Sequence, residues 1–347
     1  MIIVNARFLT QKITGVQRYA IELCRQLKKN HTSLRFVAPR NVIHEELANE
    51  LEVERCGYLE GHLWEQIELP RYASNCRNAL IVNLCNTAPL FYRNKLVVLH
   101  DVAFKRFPKN FSFLFRNFYR VIIPWILRNS KYIVTDSEFS KNEIYQLYNL
   151  GTKPIKVIPC AVGDNFKNIS HNKRNYVLAV SSISPHKNFG SLVKAFASID
   201  EENIELHIVG DINKNFSDAG IVDLIKSNSK IKMLGHITDS ELAESYTKAL
   251  CFVYPSFYEG FGIPPLEAQA SGCPCIVSDI ASLPEVFGES VVYCDPYSIS
   301  DIASKLKNLI SDDKVRKKYI RLGLDNVKRY SYRRSAIEMI ELIEGSK

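Results

Sequence analysis

Two glutamates, Glu259 and Glu267, enclose the string GFGIPPL. The two prolines of this string fit the first turn of a helix, because the N–H groups there have no partner inside the helix. We expect Glu259 before this helix and Glu267 within its first turn. Taken singly, each glutamate could equally complement the helix dipole or cap a loop. The whole string places glycines at a helix start beside two carboxylates, and this combination predicts a site for an anionic ligand.

The anion would meet backbone N–H groups at the start of this helix. These groups belong to Gly262, Ile263 and Leu266, and Phe261 lies in the same loop. Glycine allows the backbone to come closer to a ligand than other residues do. We therefore expect this loop to bind phosphate.

Apolar β-branched runs alternate with helix-length amphipathic stretches along the whole chain. Because the runs are apolar throughout, they are typical of strands buried on both faces of parallel sheets. The runs lie at residues 1–4, 34–39, 80–84, 95–101, 131–137, 155–160, 175–182, 204–211, 231–235, 250–256, 273–279 and 290–295. The pattern predicts two doubly wound α/β domains, and the 347 residues are enough for both.

The polar stretch NFKNISHNKRN marks the expected domain boundary. We expect a first domain over residues 1–165, a linker over 166–174 and a second domain over 175–330. A C-terminal helix over 331–347 could cross back to the first domain. Ligand sites of such sheets lie at the carboxyl ends of the strands, so two facing domains would enclose a cleft.

The composition is that of a folded protein, with 46% hydrophobic and 24% charged residues, which excludes a disordered chain. Nine cysteines form no Cys-x-x-Cys pair, and this spacing indicates buried thiols in a reducing compartment. The first residues lack the basic start of a signal peptide. The longest apolar run, VIIPWIL, is far shorter than the roughly 20 residues of a membrane span. We expect a cytoplasmic protein that at most rests on the inner face of a membrane.

The net charge of +8 is concentrated in the first half. Residues 1–165 hold 23 Lys and Arg against 14 Asp and Glu, and the remaining residues hold 22 against 23. The excess centres on residues 104–131, which hold many aromatic and no acidic residues. Three interpretations are open: a solvated helix with its aromatic side chains in the core, a segment that touches anionic lipid headgroups, and a nucleic-acid surface. We disfavour nucleic acid because no known binding module accompanies the segment.

Seven motifs, in order along the chain, resemble those of the family-four retaining glycosyltransferases of GT-B fold. The string EGFGIPPLE is similar to that family's motif of two glutamates separated by seven residues. GHITDSEL, with Ile237, is similar to its base-binding loop. The other five are ITGVQRYAIEL, LHDVAFKRFP, TDSEFSKNEI, IPCAVGDNF and LAVSSISPHKNFGSLVKAF. The chain looks most like bacterial polysaccharide or O-antigen mannosyltransferases.

The resemblance implies that the second domain binds a nucleotide-diphosphate sugar, the donor. Lys187 matches the family's lysine at the diphosphate, and His186 is a weaker candidate for the same contact. Ser182 lies where many relatives carry an arginine, so we expect Lys187, a serine hydroxyl and backbone N–H groups to bind the diphosphate. Glu259 matches the glutamate near the sugar hydroxyls and the reacting face. Glu267 matches the one that accepts hydrogen bonds from the ribose.

The first domain would bind a glycan or lipid-linked glycan acceptor. Gly15 and Val16 match the family's first glycine loop, where the backbone approaches the phosphates; helix N-capping by Thr14 is the alternative. His100 matches a histidine that touches the transferred sugar, and a hydrogen-bonded loop histidine is the alternative. The chain has no Asp-x-Asp, so we expect no metal and no other cofactor, with Lys187 and the helix dipole in the metal's place.

The family transfers the sugar with retention of its α-anomeric configuration, and no side chain here stands out as a covalent nucleophile. We expect mannose from GDP-mannose, with a UDP- or dTDP-sugar as the alternative donor. A nucleotide-sugar 2-epimerase is the enzyme alternative within the fold. A NAD-dependent oxidoreductase is disfavoured because no G-x-G-x-x-G follows a strand. A non-catalytic nucleotide-binding protein is disfavoured because the chain retains both glutamates, Lys187 and His100.

Overall fold

The computed structural model describes residues 1–31, 33–166, 173–181, 184–199, 201, 203–210 and 219–345. The chain forms two compact units. Unit 1 comprises Met1–Arg106, Ser112–Cys160 and Ser331–Lys347, and unit 2 comprises Phe107–Phe111 and Ala161–Tyr330. Each unit contains one parallel sheet with helical connections. The predicted fold class, two doubly wound α/β domains, is confirmed.

The sheet of unit 1 has seven strands in the order β3-β2-β1-β4-β5-β6-β7. Its strands are β1 (Ile2–Asn5), β2 (Leu34–Ala38), β3 (Glu54–Arg55), β4 (Leu80–Asn83), β5 (Lys95–Val98), β6 (Tyr132–Thr135) and β7 (Ile155–Val157). Strands β1, β4 and β5 are buried along their whole length. Full burial on both faces explains why these runs are apolar at successive positions.

The helices of unit 1 connect these strands. They are α1 (Gly15–Asn30), α2 (Glu45–Glu50), α3 (Gly61–Leu63), α4 (Leu69–Ser74), α5 (Ala103–Arg106), α6 (Phe113–Asn129), α7 (Glu138–Leu147) and α15 (Tyr332–Glu344). A π-helical turn, Trp64–Glu68, joins α3 to α4. Helix α6 begins at the N-cap Ser112, whose hydroxyl accepts a hydrogen bond from the N–H of Phe115.

Helix α15 packs against α1, although nearly the whole chain separates them in sequence. The ring centroids of Tyr19 and Tyr332 lie 6.1 Å apart, and both rings are buried. The hydroxyl of Ser335 donates a hydrogen bond of 2.8 Å to the carbonyl of Pro159. Ala336 and Met339 are fully buried. Helix α15 is therefore part of the core of unit 1.

The sheet of unit 2 has six strands in the order β10-β9-β8-β11-β12-β13. Its strands are β8 (Tyr176–Val180), β9 (Glu205–Val209), β10 (Ile231–Gly235), β11 (Cys251–Tyr254), β12 (Cys275–Ser278) and β13 (Val292–Cys294). Its helices are α8 (Phe189–Ala197), α9 (Ala219–Ser227), α10 (Asp239–Lys248), α11 (Ile263–Ala270), α12 (Leu283–Phe287), α13 (Ile299–Ser311) and α14 (Asp313–Val327). Helices α8 and α13 pack together over one apolar cluster with strands β8, β9 and β11.

The two units divide at other residues than the expected linker at 166–174. Unit 1 ends its central segment at Cys160, and unit 2 begins at Ala161. Most of the expected linker, residues 167–172, lies outside the described residues. The short segment Phe107–Phe111 packs with unit 2, although the chain on both sides of it belongs to unit 1.

Two further expectations concern the cysteines and the membrane. All nine cysteines are free thiols, and six of them are buried. No helix in the described part of the chain is both long and apolar enough to cross a membrane.

Candidate functional site

The loop before α11 has a backbone that only glycine adopts without strain. Gly262 has a φ of +99°, in the left-handed region that L side chains rarely occupy. A Cβ atom at this position would lie 2.8 Å from Cδ2 of Leu283 and 3.2 Å from Cε2 of Phe287. Gly262 is the N-cap residue of α11, which therefore begins at Ile263, before the two prolines.

This helix start corrects one expectation about Glu267. Because α11 begins at Ile263, Glu267 is its fifth residue, and the first turn contains no acidic residue. The prediction that Glu267 lies in the first turn was wrong. The influence of the helix dipole falls off within the first turn, so the dipole alone explains little of why a carboxylate stands at this position.

The Glu267 carboxylate is almost fully buried, with 4% of the residue exposed. The hydroxyl of Tyr246, itself fully buried, donates a hydrogen bond of 3.3 Å to Oε2 of Glu267. A buried carboxylate is costly unless hydrogen-bond donors surround it. Glu267 therefore has a fixed position in the core beside the start of α11, which suits a group that must accept from a ligand.

Lys187 and Glu259 form an ion pair within unit 2. Nζ of Lys187 lies 2.7 Å from Oε1 and 2.9 Å from Oε2 of Glu259, and 3.2 Å from the hydroxyl of Tyr254. The side chains of Lys187 and Glu259 are 16% and 9% exposed. Burial opposes the charge on Lys187, but Glu259 and Tyr254 together raise its pKa above the ordinary value. Lys187 is therefore a cation at neutral pH.

Three elements bring this pair together. Lys187 ends a 3₁₀ turn, Pro185–Lys187, that lies between β8 and α8. Tyr254 is the last residue of β11, and Glu259 lies in the loop between β11 and α11. Both loops follow the carboxyl ends of neighbouring parallel strands, which is where ligands bind in doubly wound sheets. The structure thus places a cation and a carboxylate at this edge of the sheet.

The other candidates in unit 2 have varied surroundings. Phe261 is buried, and its ring meets Tyr330 edge-on with centroids 5.3 Å apart, so its side chain serves packing. Ile263 is half-buried at the first position of α11, and Ile237 is half-buried between β10 and α10. Ser182 lies outside the described residues.

Gly15 and Val16 begin α1 in unit 1. Thr14 is the N-cap of this helix, and its backbone N–H donates to Oε1 of Gln17 at 3.1 Å. The N-capping that was the alternative account is therefore present. A Cβ atom at Gly15 would meet nothing within 4 Å, so unit 1 does not itself require glycine there. Close approach of a ligand to the backbone remains a reason for glycine.

His100 follows β5 and is buried, with 6% exposed. Its Nδ1 lies 2.7 Å from Oδ2 of Asp136, and its Nε2 lies 2.9 Å from the carbonyl of Leu84. Burial lowers the pKa of His100, but the charge and hydrogen bond of Asp136 raise it above the ordinary value overall. Since both partners accept, both ring nitrogens donate, and His100 is an imidazolium held inside unit 1. A contact with a sugar would require one of these bonds to open.

One group of potential metal ligands occurs in the part of the chain that the structure describes. Ligand atoms of His100, Asp136 and Cys160 lie within 4.8 Å of one another, and all three residues are buried. The thiol pKa of Cys160 is raised by burial and by Asp136, and metals bind the thiolate. The imidazolium also has no free lone pair. His100 and Asp136 form an ion pair in this group, and the thiol of Cys160 lies beside it.

Sequence reasoning missed the tyrosines that complete these contacts. Tyr254 contacts the ion pair and Tyr246 contacts Glu267. Tyr254 lies in the apolar run of β11 and Tyr246 on the buried face of the amphipathic helix α10, so both positions predict core packing. The sequence position of Tyr254 could have indicated a site residue, because Tyr254 ends strand β11 directly before the loop that contains Glu259. Asp136, which pairs with His100, also follows the end of a strand.

Comparisons with known proteins show which families and structures this chain is similar to. Residues 163–324 match the family described as "Glycosyl transferases group 1". The chain is 32% identical over 230 residues to the O-antigen chain mannosyltransferase RfbU of Salmonella typhimurium, covering 66% of this chain and 64% of that protein. It is 29% identical over 230 residues to O-antigen chain mannosyltransferase B of Escherichia coli, covering 62% of this chain and 60% of the relative. The matched segment thus spans less than two thirds of either relative.

Among solved structures, HepE of Anabaena in complex with UDP and glucose superposes with a TM-score of 0.78 at 15% identity, covering 99% of both chains. At this identity the likeness concerns the fold, and it confirms the GT-B fold. The resemblance drawn from the seven motifs is confirmed as well. Over residues 163–324 the chain is therefore similar to the glycosyl transferases group 1 family.

Proposed function

We propose that this protein is a retaining glycosyltransferase that moves a hexose from a nucleotide-diphosphate sugar to a glycan or lipid-linked glycan in surface polysaccharide synthesis. The donor that we propose is GDP-mannose. The family match supports the reaction class, and the relatives named O-antigen mannosyltransferases support the sugar and the pathway class. The proposed location is the cytoplasm, at the inner face of the cytoplasmic membrane.

The observation that supports this proposal most is the buried Lys187–Glu259 pair in the same unit as the glycine-led start of α11. The departing diphosphate develops negative charge, which Lys187 and the N–H groups at the helix start would stabilise without a metal. Glu259 would orient the sugar, and Glu267 would accept from the ribose hydroxyls. These side chains would orient the reactants and stabilise the developing charge, and both effects lower the activation barrier of such a reaction.

In this scheme the bond between the anomeric carbon and the diphosphate oxygen breaks. The acceptor oxygen bonds to the same carbon from the same face, so the configuration is retained. The proton of the acceptor hydroxyl moves to the departing phosphate oxygen, so no catalytic base is required. The products are the elongated glycan and the nucleoside diphosphate.

Thermal unfolding in the presence of a nucleotide-sugar panel tests the donor. A ligand that binds only the folded protein stabilises it by about 2.7 kcal/mol at a concentration of 100 Kd. We expect GDP-mannose to raise Tm more than UDP-glucose or a dTDP-sugar at equal concentration, with EDTA present throughout. A larger shift with a UDP- or dTDP-sugar would overturn the GDP-mannose assignment, and no shift with any of them would overturn the donor class.

Product analysis of the same mixtures separates the remaining alternatives. A transferase releases nucleoside diphosphate and elongates an added acceptor. A 2-epimerase converts the nucleotide sugar without an acceptor, and a non-catalytic binding protein shifts Tm but forms no product.

We further propose that helix α6 rests on an anionic membrane. Five of its apolar side chains are exposed: Phe113 (69%), Leu114 (80%), Phe118 (37%), Val121 (63%) and Trp125 (57%). At 100° per residue the last four of these lie within an arc of about 60° on one face of the helix. Exposed aromatic side chains weaken the interpretation that all aromatics turn to the core. No acidic residue occurs from 102 to 135, so the surroundings of this face favour an anionic partner.

Vesicle binding tests this contact, because each Lys or Arg near an anionic surface contributes about 1 kcal/mol. We expect binding to anionic vesicles that weakens with salt, and little binding to neutral vesicles. The double variant Arg120→Glu/Arg128→Glu reverses two exposed charges of α6 and should bind anionic vesicles at least tenfold more weakly. Reversal of two exposed charges in unit 2, Lys307→Glu/Arg321→Glu, is the matched control. Equal losses in both variants, or no preference for anionic lipid in the wild type, would overturn the membrane contact.

A further inference from the structure

Five residues, Phe107–Phe111, pack with unit 2 while their neighbours on both sides belong to unit 1. We call this segment the strap. It follows α5, contains the 3₁₀ turn Pro108–Asn110 and ends just before the N-cap of α6. Its side chains contact the loop that carries Lys187, so its role bears on the proposed donor site.

The strap holds His186, the residue before Lys187. Nδ2 of Asn110 lies 2.9 Å from Nδ1 of His186. The ring of Phe111 stacks on the imidazole at an interplanar angle of 18°, with centroids 6.4 Å apart. Phe107 lies 6.1 Å from the imidazole and 5.8 Å from the ring of Tyr258. His186 is therefore fixed both at one ring nitrogen and across its ring faces.

The hydrogen bond from Asn110 determines which nitrogen of His186 carries the proton. An amide nitrogen can only donate, so Nδ1 of His186 accepts, and the ring proton must lie on Nε2. The hydroxyl of Ser184, 3.1 Å from the same Nδ1, can donate to it as well. A doubly protonated ring could not accept at Nδ1, so this contact requires a neutral imidazole.

The charges around His186 favour the same state. Burial and the positive charge of Lys187 lower the pKa of His186 to about 4, although Glu259 opposes this shift. At neutral pH the ring is therefore uncharged, with an N–H at Nε2, directly before the lysine in sequence.

We propose that Asn110 is a positioning residue of the donor site: by donating to Nδ1 it holds His186 as the Nε2–H tautomer, which supplies the donor's diphosphate with an uncharged hydrogen-bond donor beside Lys187. This inference rests on the proposed function. In this inference the diphosphate has two kinds of contact: an ionic contact with the ammonium group of Lys187, and a hydrogen bond from the uncharged Nε2–H of His186. It also gives the strap a role, because this short segment of unit 2 determines the tautomer.

The tautomer itself is measurable in the ligand-free protein. Long-range ¹H–¹⁵N NMR spectra distinguish the two ring nitrogens, and the loss of signals in His186→Phe assigns them. We expect the Nε2–H form in the wild type at pH 7. In Asn110→Asp the carboxylate accepts from Nδ1–H, so the ring should carry a proton at Nδ1 and titrate at higher pH. A proton on Nδ1 in the wild type would overturn the inference.

Binding of GDP and UDP, measured by calorimetry without metal, tests the contact with the diphosphate. The acceptor is a charged diphosphate, and a hydrogen bond to a charged group contributes about 1.5–3 kcal/mol, so His186→Phe should bind the preferred nucleotide roughly 10–150-fold more weakly. His186→Gln, whose amide can donate near the place of Nε2, should stay within threefold of the wild type. Asn110→Asp should acquire a pH dependence of binding between pH 6 and 8 that the wild type lacks. The control Asn308→Asp adds the same charge at an exposed position of α13 and should bind as the wild type does.

The outcomes separate the two proposals. If the wild type binds neither nucleotide, the proposed function fails and this inference fails with it. If the wild type binds and His186→Phe binds equally tightly, only the inference is overturned. A loss in His186→Phe that His186→Gln does not rescue would also overturn it, because packing would then explain the effect.

Discussion

Replacing Lys187 by alanine is expected to lower turnover about 10²–10³-fold, the loss typical of one preorganised electrostatic stabiliser. Lys187 is the cation that lies next to Glu259 and Tyr254. Its positive charge stabilises the negative charge that develops on the departing diphosphate. The substitution should therefore lower kcat more than it changes KM. Steady-state kinetics with saturating donor, in buffer containing EDTA, measures it.

The ion pair complicates this variant, because removing one partner leaves Glu259 as an unpaired buried charge. Breaking a buried pair costs about 3–5 kcal/mol of folding free energy. The double variant Lys187→Met/Glu259→Gln removes both charges and should recover much of that stability without recovering turnover. Turnover within tenfold of the wild type in a folded Lys187→Ala variant would contradict the role of Lys187. A strict requirement for added Mg²⁺ or Mn²⁺ would contradict the metal-free mechanism.

Replacing Glu267 by alanine should weaken binding of the nucleotide sugar and of the free nucleoside diphosphate alike. The loss of a hydrogen bond to a charged group is about 1.5–3 kcal/mol, which corresponds to roughly 10–150-fold in Kd. The two ligands should lose equally because they share the ribose. Isothermal titration with GDP and GDP-mannose measures both losses.

Tyr246→Phe is the matched control for Glu267. It removes the hydroxyl that donates to the carboxylate but leaves the carboxylate in place. We expect a loss smaller than that of Glu267→Ala. Unchanged nucleotide affinity in a folded Glu267→Ala variant would return this residue to a purely structural role in α11.

The strands of both sheets could be predicted because burial on two faces makes their sequences apolar at successive positions. All twelve predicted runs contain a strand. The missed strand is β3, where Glu54 and Arg55 are exposed at the sheet edge. Two charged residues carry no periodic signal, and their pairing depends on the neighbouring β2. The strap could not be predicted either, because its packing depends on tertiary contacts with His186 and Tyr258.

The sequence predicts the individual residues and motifs of the candidate site, but it does not predict which side chains pair with one another. The string around Gly262 is informative because the positive φ of this residue favours glycine, and a Cβ atom there would also crowd Leu283 and Phe287. That Lys187 pairs with Glu259, 72 positions away, follows only from the adjacency of β8 and β11. Whether His100 is free or paired depends on Asp136 at the end of another strand. The roles of these residues in binding and catalysis stay predictions.

The packing of α15 against α1 has a consequence for the order of events during synthesis. Domains generally fold as units while the chain emerges from the ribosome. Apart from the strap, unit 2 is one continuous stretch, so its core can close once Tyr330 has emerged. Unit 1 contains the earlier residues, yet the ring of Tyr19 packs against Tyr332. This contact cannot form before Tyr332 has been synthesised. The unit that is made first is therefore the one that is finished last, and its nascent form is the one that a chaperone would have most time to meet.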